Sequence, residues 1–280
     1  MKILITGANG QLGRELTKQY KEKGNVELIL TDVDTLDITN VNDVYKMVNE
    51  TKPDVIINCA AHTAVDKCED DVDNAYKINA VGPKNLAAAM NAIGGEIVQV
   101  STDYVFDGTS EKPYLEFDKP CPASVYGQTK YDGEEFVKSL NPKHYIVRTA
   151  WLYGDGNNFV KTMIRLGENN PEVKVVNDQF GSPTSTTDLA RVIISLVENK
   201  NYGIFHATCK GQCSWYDFAK EIFELKGMDV NLLPCTSEEF KSRAKRPKYS
   251  VLRNYMLELT TGDITRDWKE SLKEYLENLK

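Results

Sequence analysis

The chain is expected to fold as an α/β protein: a Rossmann-like, doubly wound parallel sheet with a smaller C-terminal α/β region. Three observations predict this. Apolar strand-length runs alternate with helix-length amphipathic stretches through about residue 150, which is the pattern of repeated βα units. The run Val55-Ile56-Ile57-Asn58 is apolar without alternation, as a strand covered on both faces must be. The first apolar run, Lys2 to Thr6, enters a glycine-rich turn and then a helical pattern. Right-handed crossovers between such units give an open sheet rather than a barrel.

The elements justify themselves in order. Lys2-Ile3-Leu4-Ile5-Thr6 reads as a first strand and not as a leader, because no small-residue cleavage site follows it. Gly7-Ala8-Asn9-Gly10-Gln11-Leu12-Gly13 comes next, then a helix through Leu16 to about Lys23. Small residues between a strand and a helix let the backbone approach a pyrophosphate, and the helix N-terminus points free N–H groups at it. The spacing Gly-x-x-Gly-x-x-Gly differs from the commoner dinucleotide fingerprint, so the glycines alone also fit a simple tight turn. A second strand, Val26 to Leu30, ends at Thr31-Asp32, nineteen residues after Gly13. An acid there accepts hydrogen bonds from an adenosine ribose and disfavours a 2′-phosphate. Leu36-Asp37-Ile38 fits either an adenine-lining segment or the capped start of the helix Val41 to Glu50.

Small residues after the third strand, Ala60 and Ala61, fall where a cofactor crosses a parallel sheet. His62 reads equally as a site-lining or a structural loop residue. A long helix is expected from Asp73 to Ile93, with Asn79 inside it either bracing the site or exposed. Strand Ile97 to Val100 then delivers Ser101-Thr102 to the same edge. After a proline-rich loop, Tyr126 and Lys130 start the next helix one turn apart on one face. An ammonium beside a phenol favours the phenolate, so Lys130 is expected to lower the Tyr126 pKa toward working pH. Such a pair also occurs by chance in ordinary amphipathic helices. Strand Tyr145 to Thr149 closes a first domain, residues 1–150, and residues 151–280 form mainly a second region that can return elements to the first.

In that second region helices are expected to Asn169, over Asp188 to Glu198, Ser214 to Lys226 and Ile264 to Leu279, with strands at Val173 to Val176 and Ile204 to Ala207. The loop Asn177 to Thr184 is dense in side-chain donors and acceptors. Arg243, Lys245, Arg246 and Lys248 form either a solvated cluster or a pyrophosphate clamp.

Composition narrows the classes. The chain has 280 residues, 41% hydrophobic and 27% charged, with a net charge of −7 that argues against nucleic acid or an anionic membrane as a partner. No apolar run approaches the roughly eighteen residues of a membrane span. Six scattered cysteines, without metal-ligand spacing, suit reduced thiols and a cytoplasmic setting.

Three motifs taken together, Gly7-x-x-Gly10-x-x-Gly13, Ser101-Thr102-Asp103-Tyr104-Val105-Phe106 and Tyr126-x-x-x-Lys130, resemble the extended branch of the short-chain dehydrogenase/reductase family. Ala60 to Lys67, Gly156-Asn157-Asn158-Phe159, Asn177 to Gly181 and Arg246-Pro247 are similar, more narrowly, to the dTDP-4-dehydrorhamnose reductases within it. The resemblance implies NADPH- or NADH-dependent reduction of the C4 ketone of dTDP-4-dehydro-L-rhamnose, the last step of dTDP-L-rhamnose synthesis. It implies that Tyr126 donates the proton, that Lys130 holds the nicotinamide ribose, and that Thr102, chosen over its neighbour Ser101 by strand alternation, bonds the keto oxygen. Gly7, Gly10, Gln11, Leu12, Gly13, Asp32, Asp37, Ile38, Ala60, Ala61 and Thr63 would surround the cofactor. Thr102, Asp103, Trp151, Asn158, Gln179 and Arg246 would meet the sugar nucleotide. Some relatives form magnesium-linked homodimers through acidic residues. Glu15 fits that pattern, Asp188 is conservative and Asn278 departs from it, which weakens the case for Mg2+. A reductase of another nucleotide-linked 4-keto-6-deoxy sugar, or a non-catalytic nucleotide-binding regulatory subunit, are the alternatives. The latter is set against by the retained Tyr126 and Lys130.

Overall fold

The computed structural model describes residues 1–279. Strands β1 (Lys2–Thr6), β2 (Glu27–Leu30), β3 (Val55–Asn58), β4 (Glu96–Thr102) and β5 (His144–Thr149) lie in the spatial order β2-β1-β3-β4-β5, with the strand Gly203–His206 beside β5. Every pairing in this six-stranded sheet is parallel. The order reverses between β1 and β3, so a crevice opens there at the carboxyl ends of the strands.

Alternation along the strands divides the core into two layers. Ile3, Ile5, Val55, Ile57, Val98, Tyr145 and Val147 face one side, where α1 (Gln11–Lys23) contributes Leu12, Leu16 and Tyr20. The intervening Leu4, Ile56, Ile97 and Ile146 face the other, against α2 (Val41–Thr51) and residues that include Leu86, Met90 and Val137. Not every interior group is apolar. The Thr6 hydroxyl donates to Asn58 Oδ1 at 2.6 Å, and the Asn58 amide donates to Gln99 Oε1 at 2.7 Å, a buried polar ladder across three neighbouring strands. Each bond satisfies a group that would otherwise be costly to bury.

The single helix expected over 73–93 is instead broken. After α3 (Val65–Cys68), α4 (Val72–Tyr76) runs into a π-helical turn, Lys77–Val81, before α5 (Gly82–Ala92). Asn79 gives the reason: its amide is turned off the helix, accepting from the His62 N–H at 2.8 Å and donating to the His62 carbonyl at 3.1 Å and the Thr129 hydroxyl at 3.2 Å. The following helix, α6 (Val125–Leu140), packs so tightly here that a Cβ on Gly133 would lie 2.2 Å from the Asn79 carbonyl oxygen.

The second half of the chain has its own core. Helices α7 (Phe159–Asn169) and α9 (Trp215–Lys226) pack with the helix Trp268–Asn278 around Tyr153, Met163, Phe218, Ile222, Trp268 and Leu272. The helix expected from Ile264 begins at Trp268, because the Asp267 side chain caps it by accepting the Lys269 N–H. Between α7 and α9 the chain returns to the first region. Helix α8 (Thr186–Asn199) joins the α1 layer, and Gly203–His206 adds the last strand of the sheet.

Candidate active site

The crevice predicted by the strand order is a cleft of about 520 Å³, lined by the glycine turn, the ends of β3, β4 and β5, the start of α6 and two tryptophans. Gly7 sits at φ +62°, and a Cβ there would lie 2.8 Å from the Ala60 nitrogen. A Cβ on Gly13 would lie 2.4 Å from the Gly7 carbonyl oxygen. Only a turn without side chains passes this closely between strand and helix. Helix α1 then starts at Gly10 with no side-chain cap and no acid in its first turn. Its unsatisfied N–H groups and positive dipole end suit a diphosphate. Together with Gln11, Leu12, Ala61 and Thr63 on the lining, these residues fit a dinucleotide.

Asp32 ends β2 beside this turn, its carboxylate accepting from the Asn9 N–H at 2.9 Å and from the Val33 N–H. The turn and the ribose-type acid are thereby fixed to each other.

At the other end of the cleft, Ser124 caps α6 by accepting the Gly127 N–H, and Tyr126 and Lys130 follow one turn apart. The Lys130 ammonium, 4% exposed, donates to the Val100 carbonyl at 2.6 Å. Burial pushes its pKa down to about 8, with Glu134 and Cys59 pulling the other way. The expected lowering of the Tyr126 pKa is reversed. Burial pushes the phenol well above its ordinary value, Asp103, Tyr104 and Cys68 add to this, and the Thr102 hydroxyl only partly opposes it. Tyr126 is therefore a protonated donor at neutral pH. The adjacent hydroxyls separate as strand alternation requires. Thr102 accepts the Tyr104 N–H and donates to Asp103 Oδ1 at 2.9 Å, whereas the Ser101 hydroxyl turns inward to Glu134 Oε1 at 2.5 Å. Asp103 is 2% exposed with Oδ2 unpartnered, and burial lifts its carboxyl to about 6, partly opposed by the nearby Ser250 and Thr102 hydroxyls, of which Thr102 donates to Oδ1.

Trp151 lines the cleft in a left-handed backbone conformation, φ 49°, rare for so bulky a residue. It is held between Gly181, where a Cβ would lie 2.5 Å from the indole, and the ring of Trp215 stacked 3.5 Å away. Trp215 and Tyr104 were not expected in the site. The capping box Ser214-x-x-Asp217, which fixes Trp215 in the first turn of α9, was a sequence signal for the former. Tyr104 meets Tyr126 edge-on at 5.4 Å, and burial pushes its phenol up to about 12 with Arg246 opposing.

Several expected site residues lie elsewhere, each for a physical reason. Asp37 is exposed and binds the Thr39 N–H and hydroxyl, while Ile38 is buried against Gly82. Ala60 packs behind Gly7 rather than on the lining. Asn158 caps α7 and donates to Gln11 Oε1, Gly154 and Gly156, so its amide positions a cleft residue from behind. Gln179 is buried and donates to Ser237. Arg246 reaches the site only through Tyr104, with its guanidinium paired to Asp66 Oδ2 at 3.0 Å. The acids suggested for magnesium are apart from the cleft. Glu15 accepts from Gln19, Asp188 is bound by Arg266, and the Asn278 amide donates to the Glu274 carbonyl. Among the described residues no group of three or more His, Cys, Asp or Glu side chains is arranged to hold a metal ion.

A doubly wound sheet whose switch-point cleft holds an uncapped helix N-terminus together with a phenol, an ammonium and a hydroxyl is that of a Rossmann-type reductase. Within that class the family model described as RmlD substrate binding domain matches residues 1–280, and the chain belongs to that family. It is 42% identical over 277 residues to the Bacillus subtilis (strain 168) spore coat polysaccharide biosynthesis protein SpsK, covering 99% of this chain and 97% of that one. It is 37% identical to the Escherichia coli (strain K12) dTDP-4-dehydrorhamnose reductase, covering 100% and 98%. The crystal structure of a Clostridium acetobutylicum ATCC 824 dTDP-4-dehydrorhamnose reductase superposes with a TM-score of 0.98 at 71% identity, covering 99% of each chain. That of the Bacillus anthracis str. Ames enzyme, in complex with NADP, gives 0.96 at 46%, again covering 99% of each.

Proposed function

We propose that this protein reduces the C4 ketone of dTDP-4-dehydro-L-rhamnose to give dTDP-L-rhamnose, with a nicotinamide cofactor. The observation that carries the reading is the meeting, in one cleft, of an anion-binding helix start and a proton-donating pair. Gly7, Gly10, Gln11, Leu12, Gly13, Asp32, Ala61 and Thr63 would hold the cofactor, which when bound supplies the hydride. Tyr126 gives its phenolic proton to the C4 oxygen as the carbonyl becomes an alcohol. The phenol is protonated at working pH and so available as the donor, while the burial that raises its pKa weakens it as an acid. Thr102 and the Lys130 ammonium, already in place before charge develops on the oxygen, stabilise it without reorganisation. Trp151 and Trp215 form the apolar wall against which the 6-deoxy sugar lies, and Arg246 stands at the outer end beside Tyr104. Asp32 would face the ribose hydroxyls of the adenosine, a placement that favours NADH over the 2′-phosphate of NADPH. The reaction takes place in the cytoplasm, where all six thiols stay reduced.

The test is a panel of dTDP-4-keto sugars offered to the purified protein with NADH and with NADPH, followed at the reduced-nicotinamide absorbance. The rhamnose precursor is expected to give the highest kcat/KM. In the same assay Tyr126→Phe should lose about 10²- to 10⁴-fold in kcat while cofactor affinity, read by fluorescence quenching, is kept. Near-normal turnover in that variant removes the assignment.

A further inference from the structure

Behind the cleft floor lies a buried charge cluster that the reaction as derived does not use. Glu134 follows Lys130 by one turn of α6 and is 1% exposed. Arg148 on β5, 2% exposed, grips it with Nε and Nη2, the shorter bond being 2.6 Å. The Ser101 hydroxyl on β4 donates to the same carboxylate at 2.5 Å. Beyond Arg148 stand Glu116, bound by the His206 and Met256 N–H groups, His206 itself, and the Phe106 ring 5.3 Å from the guanidinium carbon. A structural ion pair has no need of a site next to a reactive lysine, and an apolar replacement would serve packing as well.

We propose that Glu134 is a positioning residue for the reduction: clamped by Arg148 and Ser101, it keeps the buried ammonium of Lys130 charged beneath Tyr126. The inference rests on the assignment of Lys130 to the reacting site. Its geometry is asymmetric in the required sense. Lys130 is desolvated and has one fixed hydrogen bond, to the neutral Val100 carbonyl, which favours its proton less than an anion would. The groups that favour its charge are Glu134 from its own helix and Cys59 from the end of β3. The Cys59 thiol is pushed up to about 12 by burial, with Lys130 opposing, and so stays neutral near pH 7. Glu134 is then the anion that offsets desolvation, and Arg148 with Ser101 hold it in place. The motif Tyr126-x-x-x-Lys130-x-x-x-Glu134 thus extends the catalytic pair by one further helical turn.

The test reads Lys130 directly, in the substrate- and cofactor-free protein, as the 13Cε shift of labelled lysine, with the signal assigned by its loss in Lys130→Met. Glu134→Gln should move the titration midpoint of Lys130 down by about one pH unit or more. The alkaline limb of the kcat pH profile should move the same way. Because that variant leaves Arg148 buried without its partner, Glu134→Gln/Arg148→Met is measured beside it. It removes both charges together and should show a smaller downward shift, because the repulsion of Lys130 by Arg148 goes with it. Glu134→Asp, which keeps the charge, should recover most of it. An unchanged midpoint in either folded variant overturns the proposal. The titration is independent of any sugar, so failure to reduce the rhamnose precursor leaves this result standing on its own.

Discussion

Asp103 carries a cost that its neighbours only partly relieve. A carboxyl at 2% exposure with one unpartnered oxygen and a pKa near 6 prefers its proton in the folded state more than in the unfolded chain, where the value is about 3.9. The sign follows from linkage: a raised folded pKa gives stability that is complete below the unfolded value and is lost as pH rises through the folded one. The wild type should therefore lose stability between about pH 4 and pH 6.5 from this group. Asp103→Asn should remove that slope and be more stable at pH 7 by about 1–3 kcal/mol, measured by urea unfolding at several pH values. A residue kept at such a cost beside Thr102 is expected to act on substrate, so the same variant should lose kcat/KM. The identity of Thr102 as the cleft hydroxyl was legible from alternation in β4. The environment of Asp103 was not, because its burial is a property of the folded chain that the local letters do not carry.

At the scale of elements, the break between α4 and α5 is the feature sequence pattern did not show. Periodicity continues through Lys77–Val81, and nothing in those letters separates a π-turn from an α-turn. What selects it is tertiary: the Asn79 amide turns off the helix to reach His62 and Thr129, and Thr129 itself donates to the Tyr126 carbonyl at 3.1 Å. The turn thus ties the loop after β3 to the start of α6. Asn79→Ala would leave the His62 N–H and carbonyl without these partners, so stability should fall by about 1–3 kcal/mol in denaturant unfolding. The loop carrying Ala61 and Thr63 would also loosen. Cofactor KM should then rise more than kcat falls, whereas a change confined to α5 would move neither. By contrast, β1, the glycine turn and α1 were readable almost letter for letter, because a turn without side chains and an uncapped helix start are local properties. Asp37 and Ile38 show the limit of that reading: the same letters serve a loop bond and a core contact.

For the whole molecule, the joint between the sheet and the C-terminal helix is set by one buried acid. Asp188, at the first turn of α8, accepts from Arg266 Nε and Nη2 at 2.9 Å each, from Ser185 at 2.5 Å and from Ser271 at 2.7 Å. Arg266 also pairs with Glu274, so the guanidinium joins α8 to the helix Trp268–Asn278. Burial alone would raise the Asp188 pKa, but the bonds from Arg266, Ser185 and Ser271 outweigh it and hold the carboxyl below its usual range. A depressed folded pKa contributes stability that is present above the unfolded value, about 3.9, and is lost as pH falls through the folded one. Acidification below pH 4 should therefore weaken this joint in the wild type. Arg266→Met would leave the acid buried without its cation, costing about 3–5 kcal/mol at pH 7. Burial would then dominate and reverse the slope, so the variant should regain stability relative to wild type as pH falls from 7 to 4, followed by thermal unfolding. The same geometry bears on magnesium, which the resemblance associates with acidic residues near both ends of the chain, Glu15, Asp188 and the position of Asn278. The Asp188 oxygens are occupied by an internal cation and two hydroxyls, and residue 278 is a neutral Asn. Dialysis against a chelator should accordingly leave both turnover and melting temperature unchanged, and added Mg2+ should not restore Arg266→Met. A fall in either quantity on chelation would show that a metal reaches these acids by displacing Arg266.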